Sequence, residues 1–186
     1  MTSMARQLFH SDLFRYFGRS DVPLTARLGE RKVLSYLWTF RHAQNASSPL
    51  MQKAYRAALS HLSATTFIQI PWSTRIGPGF YIGHRGRIII NPAAVIGSNC
   101  NIATGVTIGK VPSGRRAGTP TIGDRVWIGT NAVIVGGITI GDDVLIAPGA
   151  LVNTDVPSGS TVIGNPGIIK EGHPCPPEYM QNLWQG

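Results

Sequence analysis

Two different hydrophobic periodicities divide the chain near residue 66. Before this point apolar residues recur every three or four positions, which predicts amphipathic helices. After it a branched aliphatic residue recurs every six positions, and such an internal repeat is the signature of a repeat architecture. The change predicts an α-helical N-terminal region over 1–66, a repeat domain over 67–170 and a C-terminal tail over 171–186.

The N-terminal region contains three apolar clusters with approximately helical spacing. The third begins at Ser48-Pro49, because serine is a favoured N-cap and proline is favoured at the first helical position. We expect the apolar residues of these clusters, and Met51, to pack in the core and not to form a ligand site. The clusters are Leu8, Leu13, Phe14 and Phe17; Leu24, Leu28, Val33, Leu34, Leu37, Trp38 and Phe40; and Leu50, Ala54, Tyr55, Ala58, Leu59 and Leu62.

The repeat domain is marked by isoleucine–glycine pairs, several of them 6 or 12 residues apart. A residue that recurs every sixth position points into a shared interior once per flat side of a coil, and three sides close a triangular coil. The glycine lies at a corner, where a larger side chain would be strained or crowded. The pairs begin at Ile76, Ile82, Ile96, Ile108, Ile122, Ile128, Ile140 and Ile163, and Ile102, Ile134 and Ile146 keep the rhythm without the glycine.

This repeat predicts a mainly β fold, a parallel β-helix of about five coils with an N-terminal α-helical cap. Two interruptions break its rhythm: Ile82 and Ile96 are 14 residues apart, and so are Ile108 and Ile122. The second interval contains residues 110–121, which have no aliphatic rhythm. We expect this segment to leave the coil as a protruding, exposed loop, since functional loops commonly project from rigid scaffolds.

The composition is that of an ordinary folded domain, with 186 residues, 42% hydrophobic and 14% charged. No apolar run approaches the roughly 18 residues that a membrane span needs. The first 20 residues resemble no secretion signal. Because Cys100 and Cys175 imply no disulfide framework, we expect a cytoplasmic protein.

The formal net charge of +8 indicates attraction to an anionic partner. Solvated helix faces are the simplest interpretation of the basic residues, and a phosphate-rich substrate, a glycolipid or an anionic membrane surface are alternatives. Nucleic acid is not expected, because neither an aromatic–basic RNA motif nor a zinc spacing is present. The basic residues of the first third are Arg6, Arg15, Arg19, Arg27, Arg31, Lys32, Arg41, Lys53 and Arg56.

His84 is the candidate for chemistry, because it is the one histidine inside the repeats, immediately after an Ile-Gly pair. At this corner it can project into a groove within reach of the loop 110–121. One histidine cannot supply the three-histidine zinc shell that some proteins of this architecture use, so no metal is expected. Neither a serine nucleophile with a partnered base nor a phosphate loop is present. A single histidine without a metal or a nucleophile fits one reaction class well, the general-base deprotonation of an acceptor hydroxyl that attacks a thioester.

Three segments resemble the serine acetyltransferases, and most closely their relatives encoded with capsule and exopolysaccharide genes. These are Ile82-Gly-His, Asn91-Pro-Ala-Ala-Val-Ile-Gly97 and Ile102-Ala-Thr-Gly-Val-Thr-Ile-Gly109. Val126-Trp-Ile-Gly129 and Gly164-Asn-Pro166 are typical of hexapeptide acyltransferases in general. The resemblance implies a left-handed coil, a homotrimer, and acetyl-CoA as cosubstrate in a groove between subunits.

The same resemblance implies roles for individual residues. His84 matches the catalytic histidine, and the family's coenzyme contacts fall on Lys110, Thr130 and Pro148. Asn165 and Pro166 would lie near the adenine–pantetheine arm. The backbone amide of Lys110 would donate to the thioester carbonyl and stabilise the oxyanion.

The departures from the family pattern concern the acceptor. Serine-specific members carry an Asp directly before the histidine, a second Asp upstream and an Arg-His pair in the loop. This chain has Gly83, Gln69 and Gly118-Thr119 there, and glycine cannot replace charge-assisted contacts. We therefore expect a sugar hydroxyl of a capsular or exopolysaccharide unit as acceptor. L-serine is the alternative, and a non-catalytic trimeric scaffold is the alternative from another class.

Three polar residues are candidate acceptor contacts, namely Gln69, Asn91 and Thr119. Without the usual Asp, the second ring nitrogen of His84 needs another partner, which Asn91 or a backbone carbonyl could provide.

Overall fold

The computed structural model describes residues 3–23 and 30–186. Three α-helices in this part of the chain form a cap before the first strand: α1 Met4–Phe17, α2 Arg31–Asn45 and α3 Pro49–Thr66. Leu24, Arg27 and Leu28 lie outside the described residues. Ser48 is the N-cap of α3 as predicted, but its side chain makes no capping hydrogen bond. The fixed φ of Pro49 suits the first helical position without one.

Parallel strands follow the helices in three sheets, and the chain passes from sheet 1 to sheet 2 to sheet 3 in each coil. Sheet 1 contains β1 Ile68–Gln69, β4 Ile88–Ile90, β7 Thr107–Gly109, β10 Val133–Val135 and β13 Leu151–Val152. Sheet 2 contains β2 Arg75–Ile76, β5 Val95–Ile96, β8 Thr121–Ile122 and β11 Thr139–Ile140. Sheet 3 contains β3 Tyr81–Ile82, β6 Asn101–Ile102, β9 Trp127–Ile128, β12 Leu145–Ile146, β14 Thr161–Ile163 and the antiparallel β15 Ile168–Lys170. The predicted mainly β architecture of parallel sheets behind a helical cap is confirmed.

The aliphatic residues of the six-residue rhythm form one continuous core along the axis of the coils. Ile122, Ile128, Ile134 and Ile140 are all buried. Ile163 is a wrong prediction, since it is 42% exposed while its neighbour Val162 is 1% exposed. The reason is register: Val162 pairs with Ile146, and β15 then pairs antiparallel with β14, which ends the repeat.

The glycines at the corner between sheets 2 and 3 make room for side chains of the next coil. There Asp124 Oδ1 accepts from Ser98 N (2.6 Å), Asp142 Oδ1 accepts from Asp124 N (2.7 Å), and Ser158 Oγ accepts from Asp142 N (3.0 Å). A Cβ on Gly123 would overlap Asp142 Oδ1 and lie 2.9 Å from Gly141 C. The repeat therefore requires glycine because an acceptor side chain occupies the space that a Cβ would fill.

The helical cap completes the outer edge of the first coil, which has no preceding coil to pair with. The Tyr36 hydroxyl binds both the N–H and the C=O of Ile70, and Tyr16 binds Ile82 in the same way. Between them, Arg41 donates to Ile76 O (2.7 Å) and Gly77 O (2.7 Å). Buried backbone polar groups need such partners, so the cap side chains take the place of a coil.

The guanidinium of Arg41 is fully buried and forms two hydrogen bonds to the carboxylate of Asp12, at 2.8 and 2.9 Å. Arg15 is also buried and donates to Gly79 O and Asn101 Oδ1. These two basic residues are therefore not solvated helix faces, because the fold uses them to bind backbone and side-chain acceptors. No helix among the described residues is long and apolar enough to cross a membrane.

Part of the predicted apolar stripe on α3 is not in the core. Leu50 is 75% and Met51 47% exposed, and Ala54 and Ala58 are also exposed. Leu59 is buried, because that side of α3 packs against the rest of the cap. The prediction failed here because α3 is the outermost helix, with one side against its neighbours and the other facing outwards.

The C-terminal tail runs back along the outer face of sheet 3 towards the cap. Cys175 N donates to Asp143 O, and the ring of Tyr179 lies 4.9 Å from that of Trp127. At its end Trp184 exchanges two hydrogen bonds with Asn99 and packs edge-on against Phe14 of α1. The tail thus covers one of the three outer faces of the β-helix.

Gly123→Ala should destabilise the protein by about 1–3 kcal/mol, because overpacking a tight site forces its neighbours to shift. Gly83→Ala is the matched control, since a Cβ there would lie 3.7 Å from Tyr81 Cε1, an ordinary contact. The control should change stability by no more than about 0.5 kcal/mol. Thermal denaturation of both variants measures this, and equal melting temperatures would contradict the corner argument.

Candidate active site

His84 begins a row of residues along the corner between sheets 3 and 1. Strand pairing aligns Ile82 with Ile102, Ile102 with Ile128, and Ile128 with Ile146. The residues two positions further on, His84, Thr104, Thr130 and Pro148, therefore lie at the same corner of successive coils, which are about 4.8 Å apart. This row, called the histidine row below, brings together three predicted site residues and includes Thr104, which the sequence analysis missed although it has the same offset from its isoleucine as Thr130.

The far end of the histidine row is closed by the turn that contains Asn165 and Pro166. Leu151 N donates to Gly164 O at 3.0 Å, and Gly167 N donates to Leu151 O at 2.9 Å. Asn165 and Pro166 are both exposed. The predicted catalytic residue and four of the five predicted coenzyme contacts thus lie along one edge of the β-helix.

The His84 corner is wider than the corners that follow it. Ile90 lies eight positions after Ile82 in the sequence, whereas their paired residues, Ile108 and Ile102, are six positions apart. The two extra residues move the imidazole outwards, and His84 is exposed. Among the described residues, no hydrogen-bond partner of its ring is found. A single exposed imidazole is suited to take a proton from a bound molecule.

Asn91, Lys110 and Thr119 lie at the opposite edge of sheet 1, at the corner between sheets 1 and 2. Lys110 directly follows β7 and is exposed, and Thr119 Oγ1 donates to Ala93 O at 3.2 Å. Strand β4 separates this edge from His84. Within one chain the loop 110–121 is therefore not within reach of His84, and that prediction is wrong for a single subunit.

Within a single chain, Asn91 does not reach the His84 ring to orient it. Asn91 Oδ1 accepts from Ala93 N at 3.0 Å, which commits it to a local turn. Such Asn turns use the side-chain oxygen to bind the backbone two residues on. The side chain is thus engaged at the far edge of sheet 1.

Gln69 lies on the outer face of sheet 1, next to the cap. It pairs with Ile89, is exposed, and borders a shallow cleft of about 230 Å³ between α3 and the first coil. Arg56 lies in this cleft with its guanidinium 3.5 Å from the centre of the Trp72 ring. The acceptor candidates Gln69, Asn91 and Thr119 are therefore spread across sheet 1 and do not converge in one chain.

Gly83 and Gly118, two of the uncharged positions in the acceptor prediction, differ in the space around them. Gly83 has room for a side chain, whereas a Cβ on Gly118 would lie 2.9 Å from Gly137 Cα, in a backbone conformation with φ of +137°. Gly118 is therefore required by the path of the loop, while Gly83 is not required by packing.

The cysteines are not placed for nucleophilic chemistry. Burial raises the pKa of the Cys100 thiol to about 12 and that of Cys175 to about 11. Neither lies on the histidine row, since Cys100 is in the core and Cys175 is in the tail. Within residues 3–23 and 30–186, no group of three or more His, Cys, Asp or Glu side chains is arranged to hold a metal ion.

Part of the β-helix matches a known protein family. The family "Bacterial transferase hexapeptide (six repeats)" matches residues 119–154. The serine acetyltransferase of Synechococcus elongatus is 40% identical over 114 residues, covering 60% of this chain and 46% of the relative. That of Staphylococcus aureus is 39% identical over 124 residues, covering 64% and 58%. The chain thus spans about half the length of these relatives.

A solved structure extends the likeness to the helices. The soybean serine acetyltransferase apoenzyme superposes with a TM-score of 0.73 at 30% identity, over 89% of this chain and 69% of the soybean chain. The chain belongs to the serine acetyltransferase family. Membership in this family of hexapeptide-repeat acyltransferases is consistent with a left-handed coil. The expected closeness to the capsule and exopolysaccharide relatives is not supported, because the relatives found are serine acetyltransferases.

Iodoacetamide at pH 8 should leave Cys100 unmodified in the folded protein and alkylate it after denaturation. With a pKa of about 12, roughly one thiol in ten thousand is ionised at that pH, and the thiolate is the reactive form. Peptide mass spectrometry before and after guanidinium treatment measures this. Rapid alkylation of Cys100 in the native protein would show that its pocket is not closed.

Proposed function

We propose that the protein transfers the acetyl group of acetyl-CoA to an acceptor hydroxyl, with L-serine as the acceptor that the comparisons favour. The observation that carries this proposal is the histidine row. His84, Thr130 and Pro148 lie along one edge, and the turn of Asn165 and Pro166 closes it. A long, thin coenzyme suits such an edge, with its thioester towards His84.

In the proposed reaction the neutral imidazole of His84 takes the proton of the acceptor hydroxyl. The oxygen attacks the thioester carbonyl carbon, and a tetrahedral oxyanion forms. Its collapse breaks the C–S bond, and the departing CoA sulfur receives the proton from the imidazolium. The Lys110 amide donates to the oxyanion, because donors aimed at developing charge are among the largest contributions to catalysis.

The proposed site needs two copies of the chain. His84 lies at one edge of sheet 1, and Lys110 and Thr119 lie at the other. A closed ring in which one copy's His84 edge faces the next copy's loop edge would bring them together. Heterologous contacts close into rings of this kind, and we propose a homotrimer.

A sugar hydroxyl is the second candidate acceptor. The observation that favours it is the absence of charge at the four positions Gln69, Gly83, Gly118 and Thr119. A zwitterion such as serine is normally held by charge-assisted hydrogen bonds, whereas a neutral sugar needs none. The basic cap is suited to a phosphate-linked or lipid-linked form of such a sugar, and with it to a peripheral membrane contact.

His84→Ala should lower the turnover number about 10²–10⁴-fold, the usual contribution of a positioned general base. Coenzyme affinity should be almost unchanged, because the imidazole contacts the acceptor. His61→Ala, an exposed histidine of α3, is the control and should be fully active. A thiol-release assay with acetyl-CoA measures turnover, and full activity of His84→Ala would contradict the mechanism.

An acceptor panel decides between the two candidates in the same assay. L-serine, neutral hexoses and nucleotide-linked sugars are compared at equal concentrations. Serine turnover that exceeds that of every sugar supports serine as the acceptor, and the reverse order supports the sugar. If the folded protein binds CoA but releases no free CoA with any of these acceptors, the true acceptor belongs to neither class.

Co-assembly of two inactive variants tests the shared site. One is His84→Ala, and the other lacks eight residues of the loop. The paired residues Thr107 and Val133 are 26 positions apart in the sequence, whereas the paired residues Val133 and Leu151 are 18 positions apart. Deleting eight residues of the loop therefore restores the regular repeat. Mixed assemblies should regain a fraction of wild-type activity, because some sites combine an intact histidine with an intact loop. Activity no greater than that of the separate variants would contradict a shared site.

A further inference from the structure

The acidic residue that precedes the histidine in serine-specific relatives is glycine here, so another feature must hold the His84 corner in place. Three contacts fix this corner. Gly83 N donates to Ile102 O at 3.0 Å, and Gly86 N donates to Thr66 O at the end of α3 at 3.1 Å. The Thr104 hydroxyl packs against Gly86, where a Cβ would overlap it.

A fourth contact comes from α1. The Tyr16 hydroxyl donates to Ile82 O at 2.8 Å and accepts from Ile82 N at 3.0 Å. Its ring packs on that of Tyr81, with ring centres 4.4 Å apart. Two consecutive residues immediately before the widened corner are therefore held by one side chain of the cap.

We propose that Tyr16 is a positioning residue for His84. It fixes the strand from which the corner starts, on the side where no coil lies beneath it. The inference rests on the proposed function, in which His84 is the general base. Because a displacement of about 1 Å at a reacting group can cost 10²-fold in rate, loss of this anchor should be visible in turnover.

The chemistry of the hydroxyl suits a permanent anchor. Burial raises the pKa of Tyr16 well above its usual value. The hydroxyl therefore keeps its proton and donates to Ile82 O throughout the working pH range. Tyr16→Phe keeps the ring and removes both hydrogen bonds, which leaves the N–H and C=O of Ile82 without this partner.

The chain offers a matched control in Tyr36. Its hydroxyl binds Ile70 through the same pair of hydrogen bonds, at 3.1 and 3.0 Å, immediately after β1 in the same coil. Burial raises its pKa as well. Tyr36→Phe thus removes an equivalent pair of bonds from the first coil without touching the strand that leads into the His84 corner.

The experiment compares wild type, Tyr16→Phe and Tyr36→Phe in steady-state kinetics and thermal denaturation. Both variants should lose a few degrees in Tm, because each leaves backbone groups unpaired. Only Tyr16→Phe should lose about 10- to 100-fold in kcat, with KM for acetyl-CoA within about twofold. Equal kcat in the two variants would overturn the proposal.

A double variant separates positioning from general loss of structure. In the His84→Ala background, Tyr16→Phe should have no further effect on kcat, because the residue acts through a histidine that is no longer there. A further loss equal to that in wild type would show that Tyr16 acts by another route and would overturn the proposal.

Amide hydrogen exchange gives a readout that does not depend on activity. Tyr16→Phe should accelerate exchange at Gly83 and Gly86, and Tyr36→Phe should not. Wild type that transfers no acetyl group would refute the proposed function, and the exchange comparison would still decide whether Tyr16 fixes the corner. Unchanged exchange at both glycines in Tyr16→Phe would overturn the inference.

Discussion

The backbone edge of the first coil is the constraint on which the rest of the molecule depends. Each coil forms hydrogen bonds with the coil on either side, so the first one has an open edge. An unpaired buried backbone group costs about 1–3 kcal/mol, and an exposed edge invites pairing with another chain. Tyr36, Arg41 and Tyr16 close this edge at Ile70, Ile76 and Ile82 in turn. The Asp12 carboxylate holds the Arg41 guanidinium in place, so the cap stands in for a missing coil.

The regular stacking above this edge converts sequence offsets into spatial rows. His84, Thr130 and Pro148 are far apart in sequence but lie at the same corner of the β-helix, because each comes two residues after an aligned aliphatic core position. The same regularity separates Lys110 and Thr119 from them, since these residues belong to a different corner. The β-helix of one chain cannot bring the corner between sheets 1 and 2 into contact with the corner between sheets 3 and 1. The proposed reaction therefore follows from the fold only if a second copy supplies the loop edge.

The six-residue rhythm was sufficient to predict the core, because a position such as Ile134 has one possible orientation in a closed coil. It failed where the repeat ends, at Ile163, since the pairing direction changes there. The three-to-four spacing of the apolar residues in α3 could not show which side of that helix faces outwards, because burial of Leu50 depends on the helices that lie next to it and not on its own spacing. The sequence pattern also did not indicate that Asn91 Oδ1 accepts from Ala93 N in a local turn. Tyr16 carries no sequence signal of its role, since only the three-dimensional packing of α1 brings it to Ile82.

Hydrogen–deuterium exchange with and without CoA tests the central claim, that the histidine row is the functional edge of the molecule. Bound CoA should slow exchange at the corner between sheets 3 and 1, over residues 129–131, 147–149 and 164–167. Exchange at the corner between sheets 2 and 3, around Gly97, Gly123 and Gly141, should not change. Protection confined to that second corner, or no protection at saturating CoA, would contradict the account.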